Sequence, residues 1–202
     1  MTRIVQAALL GIAVIVLGLM VARPAAAGNI VDNGGFEDGF SSWTHNPSSS
    51  FPWSLSGFAH SGARSVDTGC IGAPCITLAP SPTGAWLYQD VATTPGQLYD
   101  ISFAYAPDGS PHELQAWWDG TMVYDNTTGS GGYAVYDGSN TATLHNVTAT
   151  GTTTRLEFLG RNDPGFLNVD DVAVQTVPEP SALSLLGIGL VGLLGARKRI
   201  AI

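Results

Sequence analysis

The residues of this 202-residue chain that could do chemistry are its carboxylates, its aromatic rings and one close pair of cysteines. Side chains on a strand alternate between faces. In Val169-Asp170-Asp171-Val172, Asp170 shares parity with Val172 and Val174, so it is predicted to point inward with them. A buried carboxylate is costly unless it is hydrogen-bonded, paired or bound to a metal. The same parity argument sorts the aromatic residues. In Leu114-Gln115-Ala116-Trp117-Trp118 the apolar set is Leu114, Ala116 and Trp118, which leaves Gln115 and Trp117 on the opposite face. In Trp86-Leu87-Tyr88-Gln89-Asp90-Val91, Leu87 and Val91 look inward and Trp86 and Tyr88 outward. Exposed rings beside amide and carboxylate groups suit the apolar face of a sugar, with its hydroxyls hydrogen-bonded around the rim. The competing reading makes these rings a second layer of core. Cys70 and Cys75 lie in Cys-Ile-Gly-Ala-Pro-Cys. In an oxidising compartment they are expected to form a local disulfide, whose small loop contributes about 2 kcal/mol by chain entropy.

Composition and motifs exclude other chemistries. All 16 acidic residues lie between Asp32 and Glu179, where only Arg64, Arg155 and Arg161 oppose them. A module so acidic and without lysine is no partner for nucleic acid, which needs clustered Lys and Arg. Acidity suits an extracellular protein and a hard cation such as calcium. No Gly-x-Ser-x-Gly elbow is present, and His112-Glu113 lacks the second histidine of a zinc-protease helix. No two carboxylates are fixed at a glycosidase separation by the sequence, so no catalytic residue is assigned.

The elements that must hold these residues are short β-rich runs between turn signals, with no helical period in the central part. Strands are predicted at Asn29–Val31, Phe51–Leu55, Ala63–Asp67, Trp86–Val91, Leu98–Ala106, Leu114–Trp118, Met122–Tyr124, Tyr133–Tyr136, Ala142–Ala149, around Leu156 and Phe158, and at Leu167–Gln175. Asp119-Gly120 reads as a two-residue type I′ hairpin turn. This count suits an all-β, single jelly-roll β-sandwich.

Both ends of the chain read differently. Arg3, the apolar run Ile4–Val21 and Ala25-Ala26-Ala27 have the form of a signal peptide over residues 1–27, with signal peptidase leaving Gly28 first. Residues 28–176 are then the sandwich, and residues 177–202 a tail. That tail carries Pro178-Glu179-Pro180, an apolar helix-forming run from Ala182 to Ala196, and Arg197-Lys198-Arg199. The run is short for a permanent span of about 20 apolar residues, and the basic cluster would stay cytoplasmic. The composite resembles the PEP-CTERM sorting signal of bacterial surface proteins. The resemblance implies a transient transmembrane helix, recognition by an exosortase-type membrane protease, and release or attachment at the cell surface. A plain C-terminal membrane anchor with a proline-rich stalk is the alternative.

A second resemblance covers the middle. Asn33-Gly34-Gly35-Phe36-Glu37 followed by Trp43 is similar to the opening of galactose-binding-like jelly rolls, among them many carbohydrate-binding modules. Val169-Asp170-Asp171-Val172 is similar to their closing strand, and Pro95-Gly96, Ile101–Ala106 and Arg161-Asn162-Asp163 to their middle. The resemblance implies that the first and last strands lie together and hold a structural calcium, with Glu37 and Asp170 as its side-chain ligands. The alternative is an Asp170 satisfied by backbone N–H groups of the opening segment. Together these readings predict an exported, non-catalytic surface or matrix protein associated with polysaccharide through Trp117, Trp86, Tyr88 and Gln115, or else a purely structural envelope protein without a sugar ligand, or a glycan-active enzyme.

Overall fold

The computed structural model describes residues 28–46, 52–69, 85–108, 112–128, 141–162 and 165–178. Among them are ten β-strands: β1 (Thr44–His45), β2 (Ser54–Ser56), β3 (Ser65–Thr68), β4 (Trp86–Ala92), β5 (Leu98–Pro107), β6 (His112–Trp118), β7 (Thr121–Thr128), β8 (Thr141–Thr148), β9 (Thr153–Asn162) and β10 (Leu167–Thr176). They form two five-stranded antiparallel sheets, ordered β1-β4-β9-β6-β7 and β2-β3-β10-β5-β8. The fold is therefore an all-β sandwich, and the inward residues of both sheets make one core. Leu87, Leu114, Leu156 and Phe158 come from the first sheet and Val66, Ile101, Phe103, Val169 and Val174 from the second, all of them buried. The rings of Phe103 and Phe158 meet edge to face at 5.0 Å between the layers, the geometry that aromatic pairs prefer.

Several elements differ from the sequence reading. β9 runs from Thr153 to Asn162 rather than only around Leu156 and Phe158, because Arg155, Glu157 and Arg161 are accommodated on the sheet's outer face. The predicted strand at Asn29–Val31 is a single bridge, Asn29 to Gln175. The strand expected at Phe51–Leu55 is displaced to Ser54–Ser56, and β1 had no sequence signal at two residues long. The β6–β7 hairpin turns at Asp119-Gly120 with both residues at positive φ, 50° and 76°, as a type I′ turn requires.

The parity expectation for Asp170 fails. Asp170 pairs with Ala104 on the outer face of its sheet, and a register shift separates it from Ala173. Asp171 sits in this bulge at φ 49°. The extra residue resets the alternation, so Val169 and Val174 both face the core while Asp170 does not. Asp170 is nonetheless fully buried.

The opening segment packs on the same bulge. Gly34 O accepts the Val172 N–H at 2.9 Å. Phe36 plugs the core, with its ring 5.1 Å from Trp43. The Trp43 indole N–H donates to Asn33 O, and the Asn33 side chain braces Gly39 O and Ser41 O. At the other end, Val177 N–H donates to Leu98 O and the Gln97 amide donates to Val177 O, each at 2.9 Å. The last strand is thus tied down up to the residue before Pro178. Residues 1–27, Cys70 and Cys75, the strand predicted at Tyr133–Tyr136, Glu179, Pro180, the apolar run Ala182 to Ala196 and Arg197, Lys198 and Arg199 lie outside the described residues. No helix among the described residues is long and apolar enough to cross a membrane.

Candidate functional site

The outer face of the first sheet gathers the four aromatic and amide positions singled out in the sequence. Cross-strand register sets them in rows. Trp86 (β4), Leu159 (β9) and Gln115 (β6) form one, and Tyr88, Glu157 and Trp117 the next. Asp90 and Arg155 pair in the row beyond. Residues directly opposite one another share a face, with Cβ atoms about 4.5–5.5 Å apart. Glu157 is therefore flanked by a ring on each side.

The rings are not a flat exposed platform. Trp117 and Gln115 are each 8% exposed, and Leu159 on the same face is fully buried. Trp86 and Tyr88 are half-buried, with their rings 5.3 Å apart. Trp117 is also held in orientation. Its indole N–H donates to Gln115 Oε1 at 3.1 Å, and Gln115 Nε2 donates to Glu113 Oε1 at 2.8 Å. Tyr88 carries the Arg155 guanidinium 3.6 Å above its ring centroid, a cation–π contact that covers one face of the ring. Arg155 in turn makes a two-point bond to Asp90, Nε to Oδ1 at 2.7 Å and Nη2 to Oδ2 at 2.9 Å. This bond holds the Asp90 carboxyl below its ordinary value.

Glu157 was not singled out in the sequence. It is 4% exposed. Burial pushes its carboxyl above the usual value, and the positive charge of Arg155 offsets part of that rise. No described residue donates a hydrogen bond to its oxygens. A signal for it existed: once Leu156 and Phe158 face the core, Arg155 and Glu157 must face out.

Glu37 and Asp170 meet one loop on a different part of the domain. Glu37 Oε1 accepts the N–H groups of Ala63 (2.8 Å) and Arg64 (3.0 Å). Asp170 Oδ2 accepts those of His60 (2.8 Å) and Ser61 (3.2 Å), and Oδ1 that of Asp171 (2.8 Å). Asp171 adds bonds to the His60 ring and the Ser61 hydroxyl. Among the described residues no group of three or more His, Cys, Asp or Glu side chains is placed to hold a metal. A calcium shell needs 6–8 oxygens at about 2.3–2.6 Å. Backbone N–H groups bond Glu37 Oε1 and both oxygens of Asp170, an arrangement that fits an amide-bracing role. The partners of Asp170 belong to the 60–61 turn and to the bulge itself rather than to the opening segment.

Among solved structures, the sandwich is similar in fold to carbohydrate-binding modules and to an adhesin domain. It matches the CBM22-1–GH10 region of Clostridium thermocellum xylanase Xyn10B, solved with xylohexaose, at a TM-score of 0.50 and 11% identity, over 75% of this chain and 29% of that one. The tandem CBM22 domain of Paenibacillus barcinonensis Xyn10C matches at 0.50 and 12%, over 76% and 47%. The K3 adhesin domain of Lys-gingipain from Porphyromonas gingivalis matches at 0.50 and 12%, over 74% and 99%. At these identities the likeness is one of fold. Residues 176–199 match the PEP-CTERM protein-sorting motif, a signal recognised by exosortase that marks an exported protein. No curated protein matches the chain.

Proposed function

We propose that this is an exported, non-catalytic protein of the cell surface or extracellular matrix that associates with polysaccharide through the outer face of its first sheet. The observation that carries this reading is the row Tyr88–Glu157–Trp117, a buried acceptor between two rings. Hydroxyl-rich ligands recognise that combination, with the rings meeting C–H surfaces and the carboxylate taking hydroxyl protons. The architecture shared with carbohydrate-binding modules supports it. Wild-type protein should be retarded on at least one polysaccharide affinity gel, and Trp117→Ala should lose about tenfold or more of that affinity, a side-chain loss of about 1.4 kcal/mol or more. Equal mobility of both proteins on every gel would leave a purely structural envelope protein, the reading that the low exposure of Trp117 favours.

The processing belongs to the same proposal. Signal peptidase removes residues 1–27 and an exosortase-type protease cuts within the sorting tail. The bonds from Leu98 and Gln97 to Val177 protect the end of β10. The intact mass of the protein recovered from outside the cell should therefore start at Gly28 and end beyond Val177. A species running from Met1 to Ile202 contradicts the processing, and one ending before Thr176 contradicts the protection.

A further inference from the structure

We propose that the outer face of the first sheet selects amino sugars, with the Glu157 carboxylate receiving the ligand's ammonium group between Tyr88 and Trp117. The proposal rests on the polysaccharide-binding reading and names the chemical class of the glycan.

Glu157 lacks a hydrogen-bond donor among the described residues. It is 4% exposed. A buried charge left in that state is expensive, and an unsatisfied group of this kind calls for a role or a missing partner. The charge of Arg155 acts on Glu157, but its Nε and Nη2 are committed to Asp90. A hydroxyl could donate to the carboxylate and leave its charge in place. An ammonium would donate and neutralise it as well.

Two further observations favour the cation. The flanking residues at cross-strand positions are both aromatic, and ring faces attract cations. The charge balance on this face also points the same way. Among the described residues, Asp90, Glu113, Asp125 and Glu157 share the outer face by register with Arg155 and Arg161, two more acids than bases. Arg155 lying over Tyr88 shows that the face already accommodates one cation against a ring. The same balance disfavours uronate-rich or sulfated glycans, whose charge would approach the buried Glu157 carboxylate.

Two ligands with one backbone decide the matter: β-1,4-linked glucosamine oligomers with free amines, and the same oligomers fully N-acetylated. Both offer the same ring faces and nearly the same hydroxyls. Titration calorimetry on the exported protein, at a pH where the amines are charged, should give at least about tenfold tighter binding of the free-amine oligomer, about 1.4 kcal/mol. Glu157→Gln keeps the shape and should bring the two affinities within about threefold of each other. Should that variant fail to fold, rising salt should erode the preference in the wild type, because ion pairing is screened. Equal affinity, tighter binding of the acetylated oligomer, or binding of some other glycan but neither of these overturns amine selection while polysaccharide binding stands. Failure to bind any glycan removes the underlying reading and this one with it.

Discussion

Asp170→Asn should lower the melting temperature of the domain by about 5–10 °C, the equivalent of about 2–3 kcal/mol at this chain length. Asp170 is fully buried and its two oxygens accept three backbone N–H groups, from His60, Ser61 and Asp171. An asparagine amide keeps one acceptor and turns the other into a donor facing an N–H. The loop at residues 60–64 then loses one of its three braces and hangs on Asp171 and Glu37. Loss of a buried charge offsets part of the damage, because burial already pushes the Asp170 carboxyl upward. Asp38→Asn, at an exposed position, should leave the melt within about 1–2 °C. The same melts test the metal. If the carboxylates serve amides, excess chelator leaves the wild-type curve where it is and added calcium does not raise it. A calcium-dependent rise would restore Glu37 and Asp170 as ligands and require the loop amides to turn away from them.

What the sequence revealed, and what it hid, follows from the physics of strands. Alternation is local, so it placed Trp86 and Tyr88 on the outer face of β4 and Gln115 and Trp117 on that of β6 without knowledge of the partners. Alternation cannot say what lies above a face, and so gave no hint that Trp117 would be 8% exposed. It also fails wherever a residue is inserted. The bulge at Asp171 depends on a non-glycine residue at φ 49°, held by the His60 ring, the Ser61 hydroxyl and the neighbouring strand, all remote in sequence. Counting by twos across it put Asp170 on the wrong side. Glu157 was hidden for a different reason. Charged residues interrupt β9 on its outer side, which shortened the strand to its two apolar markers although their parity already implied the rest. The opening motif was legible as a unit but not its purpose, since each of its residues acts on a partner far along the chain.

Gly34→Ala tests that last point, and should destabilise the domain by about 3 kcal/mol, or about 6–12 °C in melting temperature. A Cβ at Gly34 would run into the carbonyl oxygen of Val172, with the carbonyl carbon at 3.0 Å. Those are backbone atoms of the closing strand, so no rotamer change can relieve the clash. Relief requires the opening segment to lift off β10, which breaks the bond from Val172 N–H to Gly34 O and unseats Phe36 from the core. Gly160 makes the contrast. Its added Cβ would meet Thr68 Cγ2 at 2.6 Å, Trp53 Cζ2 at 3.0 Å and Leu167 Cδ2 at 3.2 Å, all side-chain atoms that can shift in part. Gly160→Ala should therefore cost less, about 1–2 kcal/mol. Gly35→Ala meets only Asp171 Oδ1 at 3.7 Å and Asp170 Oδ1 at 3.9 Å, ordinary contacts, and Gly57→Ala meets nothing within 4 Å. Urea titrations of the four variants should rank Gly34 first, then Gly160, with the other two near wild type. A Gly35 variant as damaged as Gly34 would mean that the pair serves backbone flexibility, whereas the predicted split assigns Gly34 to the close approach of the first and last segments.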